Sequence, residues 1–155
     1  MDHAVNGPVN EAVKPFGPTS RSLPIALLRA RETVLAPIRE MLHASNISEQ
    51  KWRVLRVVEE AGEMEQTAIS LAACLKLPSL TRILRTMEAE KLISRKTDKQ
   101  DRRRTLVQIT EVGRMLIESH LNRNSRIFSR LESQYGRDKM DQLLDMLEEL
   151  QQVRL

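Results

Sequence analysis

Scarcity narrows this chain before any motif does. Cys74 is its only cysteine, so neither an intramolecular disulfide nor a cysteine-based metal site can form. Aromatic residues make up 3% of the 155 residues, so the core has to be built from Leu, Ile, Val, Met and Ala, a set that favours helices. Glycine is scarce at five. No apolar run approaches the ~20 residues that a bilayer span requires. The N-terminus lacks the basic-then-apolar pattern of a secretion signal. A soluble cytoplasmic protein without membrane contact is expected. Enzyme signatures are missing too: there is no phosphate-cradling Gly-rich loop, no His-Glu-x-x-His and no nucleophile elbow. His3, His43 and His120 stand isolated in the sequence, and Asp141, Asp145, Glu148 and Glu149 pattern as a solvated helix face. No catalytic residue, metal ligand or cofactor is expected.

What the chain does have is concentrated positive charge. Residues 76–104 hold ten Lys or Arg and four Asp or Glu, so this stretch is +6 while the remainder of the +4 chain sums to −2. From Pro78 the chain follows a helical pattern, breaks at Leu92-Ile93, passes through the basic loop from Lys96 to Arg104, and goes on to an alternating run, Leu106 to Thr110. Helix, strand, charged loop, strand is the layout of a recognition helix followed by a β-wing. A basic helix beside a basic hairpin suits a duplex whose phosphates flank a groove.

Around this centre the expected fold is mainly α with a small β-wing. Residues 1–21, with three prolines and two glycines, read as a flexible tail. A first helix starts near Ser22 with the stripe Leu27, Leu28, Arg31, Leu35, Ile38 and Leu42; Pro37 inside it should kink it. Ser48 caps a second helix that turns Trp52, Leu55, Val57 and Val58 inward and stops at Gly62. Met64-Glu65 can pair as a minimal strand. Thr67 is a candidate cap for a third helix carrying Ile69, Leu71, Ala72, Leu75 and Leu77, with Cys74 as a small core residue. The fourth helix buries Leu80, Ile83, Leu84 and Met87. Wing strands are expected at Ile93–Thr97 and residues 105–110. A fifth helix begins at Thr110-Glu111 and breaks at Tyr135-Gly136. The sixth carries Met140, Leu143, Leu144, Leu147, Leu150 and Val153, a stripe that needs a partner.

The third and fourth helices form a helix-turn-helix by pattern. Ser79 and Thr81 can bond phosphates or bases, Arg82 can make the bidentate guanine contact through N7 and O6, and Arg85, one turn on, is better placed for phosphate. In the wing, Asp101 can hold the Arg103 guanidinium in a fixed fork, next to Arg102 and Arg104. The competing reading is a solvated helix face and an ordinary polar hairpin. On this basis a ligand-insensitive architectural DNA-binding dimer and a helical protein–protein adaptor stand as alternatives to a transcription regulator.

Arg82 after Pro78-Ser79, then Asp101-Arg102-Arg103, then Leu106-Val107-Gln108-Ile109-Thr110-Glu111-Val112-Gly113, resembles the MarR family of winged helix-turn-helix repressors. The likeness runs from about Leu23 to Leu150. Ile25 to Glu32, Pro37 and Gln50-Lys51-Trp52-Arg53-Val54 look most like the subgroup regulating homoprotocatechuate (4-hydroxyphenylacetate) degradation. The resemblance implies a homodimer, with residues 22–47 and 111–155 as the helical dimerisation region and residues 48–110 as the DNA-binding domain. It implies a palindromic operator in double-stranded DNA, contacted by Pro78, Ser79, Thr81 and Arg82 on the helix and by Asp101 and Arg103 in the wing. It also implies a small aromatic acid effector, bound where the first, second and fifth helices meet. Arg29, Arg31 and Arg53 are candidate cations for its carboxylate, Trp52 a candidate stacking face and His43 a candidate hydrogen-bond partner. Against this, Trp52 also fits as plain core, and Arg31 on an apolar stripe would equally suit an internal acid such as Glu59 or Glu60.

Overall fold

Leu80, Ile83, Leu84 and Met87 recur at three- and four-residue steps, and the core closes around that stripe. All four are buried on helix α4 (Leu77–Ala89). The computed structural model describes residues 17–155. In chain order it contains a 3-10 turn, Thr19–Arg21, then α1 (Leu23–His43), α2 (Glu49–Ala61), β1 (Met64–Glu65), α3 (Gln66–Ala72), α4, β2 (Ile93–Thr97), β3 (Thr105–Ile109), α5 (Glu111–Tyr135) and α6 (Arg137–Gln151). The chain is mainly helical with one small sheet, the expected fold class. Most of the tail expected over residues 1–21 lies outside the described residues; its last three form the 3-10 turn.

Two compact units divide within α1, Met1–Val34 and Leu35–Leu155. The described part of the first is the 3-10 turn and the opening turns of α1, where Arg29 accepts the Thr33 hydroxyl on its carbonyl oxygen. Arg31 is exposed there rather than buried on an apolar face. The second unit carries the core. Pro37 lies inside α1 without ending it.

Ser48 caps α2 as its residue type predicts, its hydroxyl accepting the Lys51 N–H. Trp52, Leu55 and Val58 point inward, together with Val54; Val57 is only half-buried. The three strands are antiparallel in the order β1-β3-β2, so the middle strand is the last in sequence. Ile93 pairs with Ile109 and Thr97 with Thr105, while Met64 of the minimal strand pairs with Val107. Val107 and Ile109 face the core and Gln108 faces out, the period-two alternation of a half-buried strand.

The third helix departs from expectation. Thr67 is not its cap: Glu65 holds that position, and the Thr67 hydroxyl donates to the Glu65 carboxylate instead. Of the expected inner stripe, Ile69 is fully buried, but Leu71 is 79% exposed and Leu77 is the first residue of α4. The helix is only seven residues long. The backbone turns back at Cys74, which has φ +50 and is exposed, not a core residue. Ser70 secures that turn, its carbonyl accepting the Leu75 N–H and its hydroxyl donating to the Leu75 carbonyl. Leu75 thus reaches the core from the loop rather than from the helix.

The junction of wing and α5 explains the Thr110-Glu111-Val112-Gly113 sequence. Thr110 is the N-cap of α5, its hydroxyl oxygen accepting the Gly113 N–H at 3.1 Å and its proton going to the Lys91 carbonyl. The Thr110 N–H is held by the Leu92 carbonyl. Gly113 is buried so closely that a Cβ there would press into the Leu92 carbonyl oxygen and come within 2.7 Å of Ile109 Cγ1. This joint sets where α5 leaves the winged lobe.

Candidate nucleic-acid interface

Helix α4 presents its polar face because its apolar one is taken. Pro78 sits in its first turn, where a missing N–H costs nothing, and Pro78, Ser79, Arg82 and Arg85 are all exposed. Neither arginine side chain has an ion-pair or hydrogen-bond partner among the described residues, so both are available to a duplex. Thr81 is different. Its hydroxyl donates to the Leu77 carbonyl at 2.9 Å and accepts the Gln66 amide at 2.7 Å, so it is engaged inside the helix-turn-helix.

The wing corrects the expected Asp101–Arg103 fork. Asp101 Oδ1 accepts the backbone N–H of Arg103 at 3.0 Å, while its Oδ2 lies 3.6 Å from Arg104 Nε. A carboxylate that caps its own turn is too close to the Arg103 backbone to reach that residue's outstretched guanidinium. The ion pair therefore forms with Arg104, which also lies 3.8 Å from Glu65 Oε2. Asp101 shapes the loop: the Arg104 N–H bonds the Asp101 carbonyl, and the Asp98 N–H bonds the Arg104 carbonyl. Arg102 and Arg103 are left exposed with no side-chain partner among the described residues.

Several other cations of the basic stretch are tied down. Lys96 Nζ lies 2.6 Å from Glu63 Oε2. Arg95 donates from both Nε and Nη2 to one oxygen of Glu88, joining β2 to α4. That hydrogen bond holds the Glu88 carboxyl below its ordinary value. Lys51 of α2 grips both oxygens of Glu90 just past the end of α4. The sequence count of +6 thus overstates the charge free to meet phosphate, and Arg82, Arg85, Arg102 and Arg103 are exposed parts of it on the helix and the wing.

A second feature lies behind the helix-turn-helix. A cavity of about 290 Å³ is lined by Ile38, Trp52, Arg53, Arg56, Val57, Ala72, Ala73, Asn124 and Phe128. Of the expected ligand residues, it brings together Trp52 and Arg53. His43 is exposed at the end of α1, and Arg29 and Arg31 are exposed residues of the Met1–Val34 unit. Arg53 Nη1 donates to the Ala73 carbonyl at 2.8 Å, and its Nη2 lies 3.9 Å from Glu49. Among the described residues its Nε is buried without a partner, as is the Asn124 side-chain oxygen. Both atoms belong to residues that line the cavity beside the Trp52 indole.

Sequence reading missed Arg56, Asn124, Phe128 and His120. Arg56 follows Trp52 by four residues and Phe128 follows Asn124 by four, so helical spacing alone could have put each pair on one face. His120 carried no such signal. It is 4% exposed, with its ring centroid 5.6 Å from that of Trp52. Nδ1 lies 2.9 Å from the Leu116 carbonyl and 3.0 Å from the Ser119 hydroxyl, and Nε2 lies 3.0 Å from the Ser45 hydroxyl. Ser45 lies 75 residues away in the chain.

With this geometry in hand, relatives are informative. The homoprotocatechuate degradative operon repressor of Escherichia coli is 34% identical over 128 residues, 83% of this chain and 86% of that one. The crystal structure of NadR in complex with 4-hydroxyphenylacetate matches with a TM-score of 0.78 at 32% identity, covering 91% of this chain and all of that one. The transcriptional repressor CouR, bound to a 23-mer DNA duplex, matches with a TM-score of 0.72 at 25% identity over 86% of this chain and 94% of that one. Residues 47–105, from the cap of α2 to the start of β3, match the MarR family itself. The exposed arginines of α4 and the wing thus stand on a scaffold shared with DNA-bound and aromatic-acid-bound proteins, and the chain belongs to the MarR family of winged helix-turn-helix transcriptional regulators.

Proposed function

We propose that this protein is a dimeric repressor that binds a palindromic operator and leaves it when a small aromatic carboxylate occupies the cavity beside Trp52. The observation that carries the DNA half is the unpaired set Arg82, Arg85, Arg102 and Arg103 on a recognition helix and its wing. Arg82 is the base reader, suited to guanine N7 and O6; Ser79, Arg85, Arg102 and Arg103 hold phosphate or the minor groove. The cavity supports the ligand half. Its 290 Å³ is at the small end for ligand sites, the scale of one substituted ring. Arg53 and Arg56 supply cations for a carboxylate, the Asn124 oxygen can accept a phenolic proton, and Trp52 offers a ring face. Among relatives, one is a repressor of an aromatic degradation operon and one is solved with 4-hydroxyphenylacetate, which favours a hydroxylated phenylacetic acid.

Release requires the ligand to favour a conformation whose two recognition helices no longer fit successive major grooves. Trp52 is the only tryptophan, so its emission reports the cavity directly. The experiment titrates phenolic and phenylacetic acids into the full-length protein, following Trp52 emission together with anisotropy of a labelled duplex from upstream of its own gene. One acid should shift the emission and dissociate the duplex over the same concentration range. A duplex bound specifically but released by no acid would leave the architectural reading in place of the ligand-responsive one.

A further inference from the structure

Gln66 opens α3 and reaches across to the recognition helix. The Thr81 hydroxyl has one proton, and it goes to the Leu77 carbonyl. Across the 2.7 Å contact the Gln66 amide nitrogen must therefore be the donor. That settles the orientation of the amide and spends one of its two N–H groups. The carbonyl oxygen and the second N–H have no partner among the described residues. Gln66 lines a polar cleft of about 230 Å³ together with Glu65, Thr67, Leu77, Arg103 and Thr105. The cleft is where the first turn of α4, the start of α3 and the wing converge.

A carbonyl and an N–H carried on one planar amide match the N6 donor and N7 acceptor of adenine in the major groove. The Glu65 carboxylate on the same wall, 3.8 Å from Arg104, can also meet the amino donor of a base edge. We propose that Gln66, oriented by Thr81, is a base-reading residue that selects adenine in each half-site, adding to the helix-turn-helix a contact made from α3 rather than α4. The inference rests on the DNA-binding reading above. Thr81 becomes a positioning residue.

The test is selection from a randomised duplex library with the full-length protein, followed by anisotropy of the enriched duplex at several salt concentrations. Wild type should enrich a motif with an adenine column. Gln66→Ala should lower the preference in that column roughly ten- to a hundredfold, with the other columns and the salt slope unchanged. Gln66→Glu, which keeps the side chain's size, should move the column from adenine toward cytosine, whose N4 donor a carboxylate accepts. Thr81→Val should blur the same column. A motif that survives Gln66→Ala intact overturns the proposal, as does a uniform loss of affinity with a shallower salt slope, the mark of a phosphate contact. A wild type that enriches no motif removes the operator-binding reading itself, a different outcome from a motif indifferent to Gln66.

Discussion

At the scale of single residues, hydrogen bonding separates side chains that look equivalent in the sequence. Arg102, Arg103 and Arg104 are three consecutive arginines, yet only Arg104 is engaged, by Asp101 and Glu65. An arginine already paired releases less when it meets a phosphate, because it must first leave its carboxylates. Arg102→Ala should therefore weaken binding to all duplexes alike and reduce the slope of log K against log salt by about 0.9 for each phosphate no longer neutralised. Arg104→Ala should change that slope less. Arg82→Ala should act otherwise, costing roughly 1–3 kcal/mol of discrimination at one guanine per half-site. Anisotropy titrations across a salt series, with an operator and a scrambled duplex, check all three. Equal loss of specificity in Arg82→Ala and Arg102→Ala would contradict the division of labour. That Arg104 is the paired one could not be read from the chain, because one of its partners sits on β1, far away in sequence. The candidate Asp101–Arg103 fork failed for the opposite reason: the two residues are too near each other, and the backbone N–H takes the carboxylate first.

At the scale of elements, local signals read well and short elements read poorly. The β2 strand Ile93–Thr97, the buried face of α4, the Ser48 cap and the start of α5 at Thr110-Glu111 all follow from period, residue type and capping within a few neighbours. The seven-residue α3 has too few turns for periodicity to define a face, so its apolar pattern points Leu71 and Cys74 inward when both are exposed. His120 is engaged with Ser45 across 75 residues, a distance no local pattern spans. The joint at Gly113 is the element-level feature with the clearest consequence. A methyl there must displace the Leu92 carbonyl or Ile109, so Gly113→Ala should destabilise the fold by about 1–3 kcal/mol, the range for an overpacked core, read as a lower urea midpoint at unchanged m-value. The α4–β2 tie through Glu88 and Arg95 carries a pH dependence. Its folded pKa is lowered, so the pair stabilises the fold above the ordinary glutamate value near 4.5 and stops doing so as pH falls through the lower, folded value. Glu88→Gln should be less stable than wild type at neutral pH, and the difference should vanish in acid. A gap in urea midpoint that did not narrow at all as the pH was lowered from 4.5 downward would refute this reading of the pair.

For the whole molecule the question is what covers the apolar surface of the last two helices. On α6, Leu144, Met146 and Leu150 are exposed, followed by Val153. On α5, Leu121, Phe128 and Tyr135 are exposed as well. Apolar surface of that kind costs about 25 cal/mol for each Å² left in water, and monomers rarely keep a large patch of it. A second copy of the chain is the economical cover, since two-fold symmetry brings the same stripe to both sides of one interface. The same symmetry is what an operator palindrome requires, with half-sites about 34–36 Å apart along the duplex. Dimerisation and DNA affinity should then fail together. The wild type should sediment at twice the 17.8 kDa chain mass at micromolar concentration. Leu144→Glu places a carboxylate in the apolar seam, and it should raise the dimer dissociation constant by at least about tenfold, the equivalent of 1.4 kcal/mol. Its operator affinity should fall with dilution in parallel, while the circular dichroism melt of the winged lobe stays near that of wild type. If Leu144→Glu still sedimented as a dimer, the seam would lie elsewhere on the helices. If it became monomeric yet kept full operator affinity, the two-fold reading of the operator would be wrong, because one lobe would then suffice for the whole site.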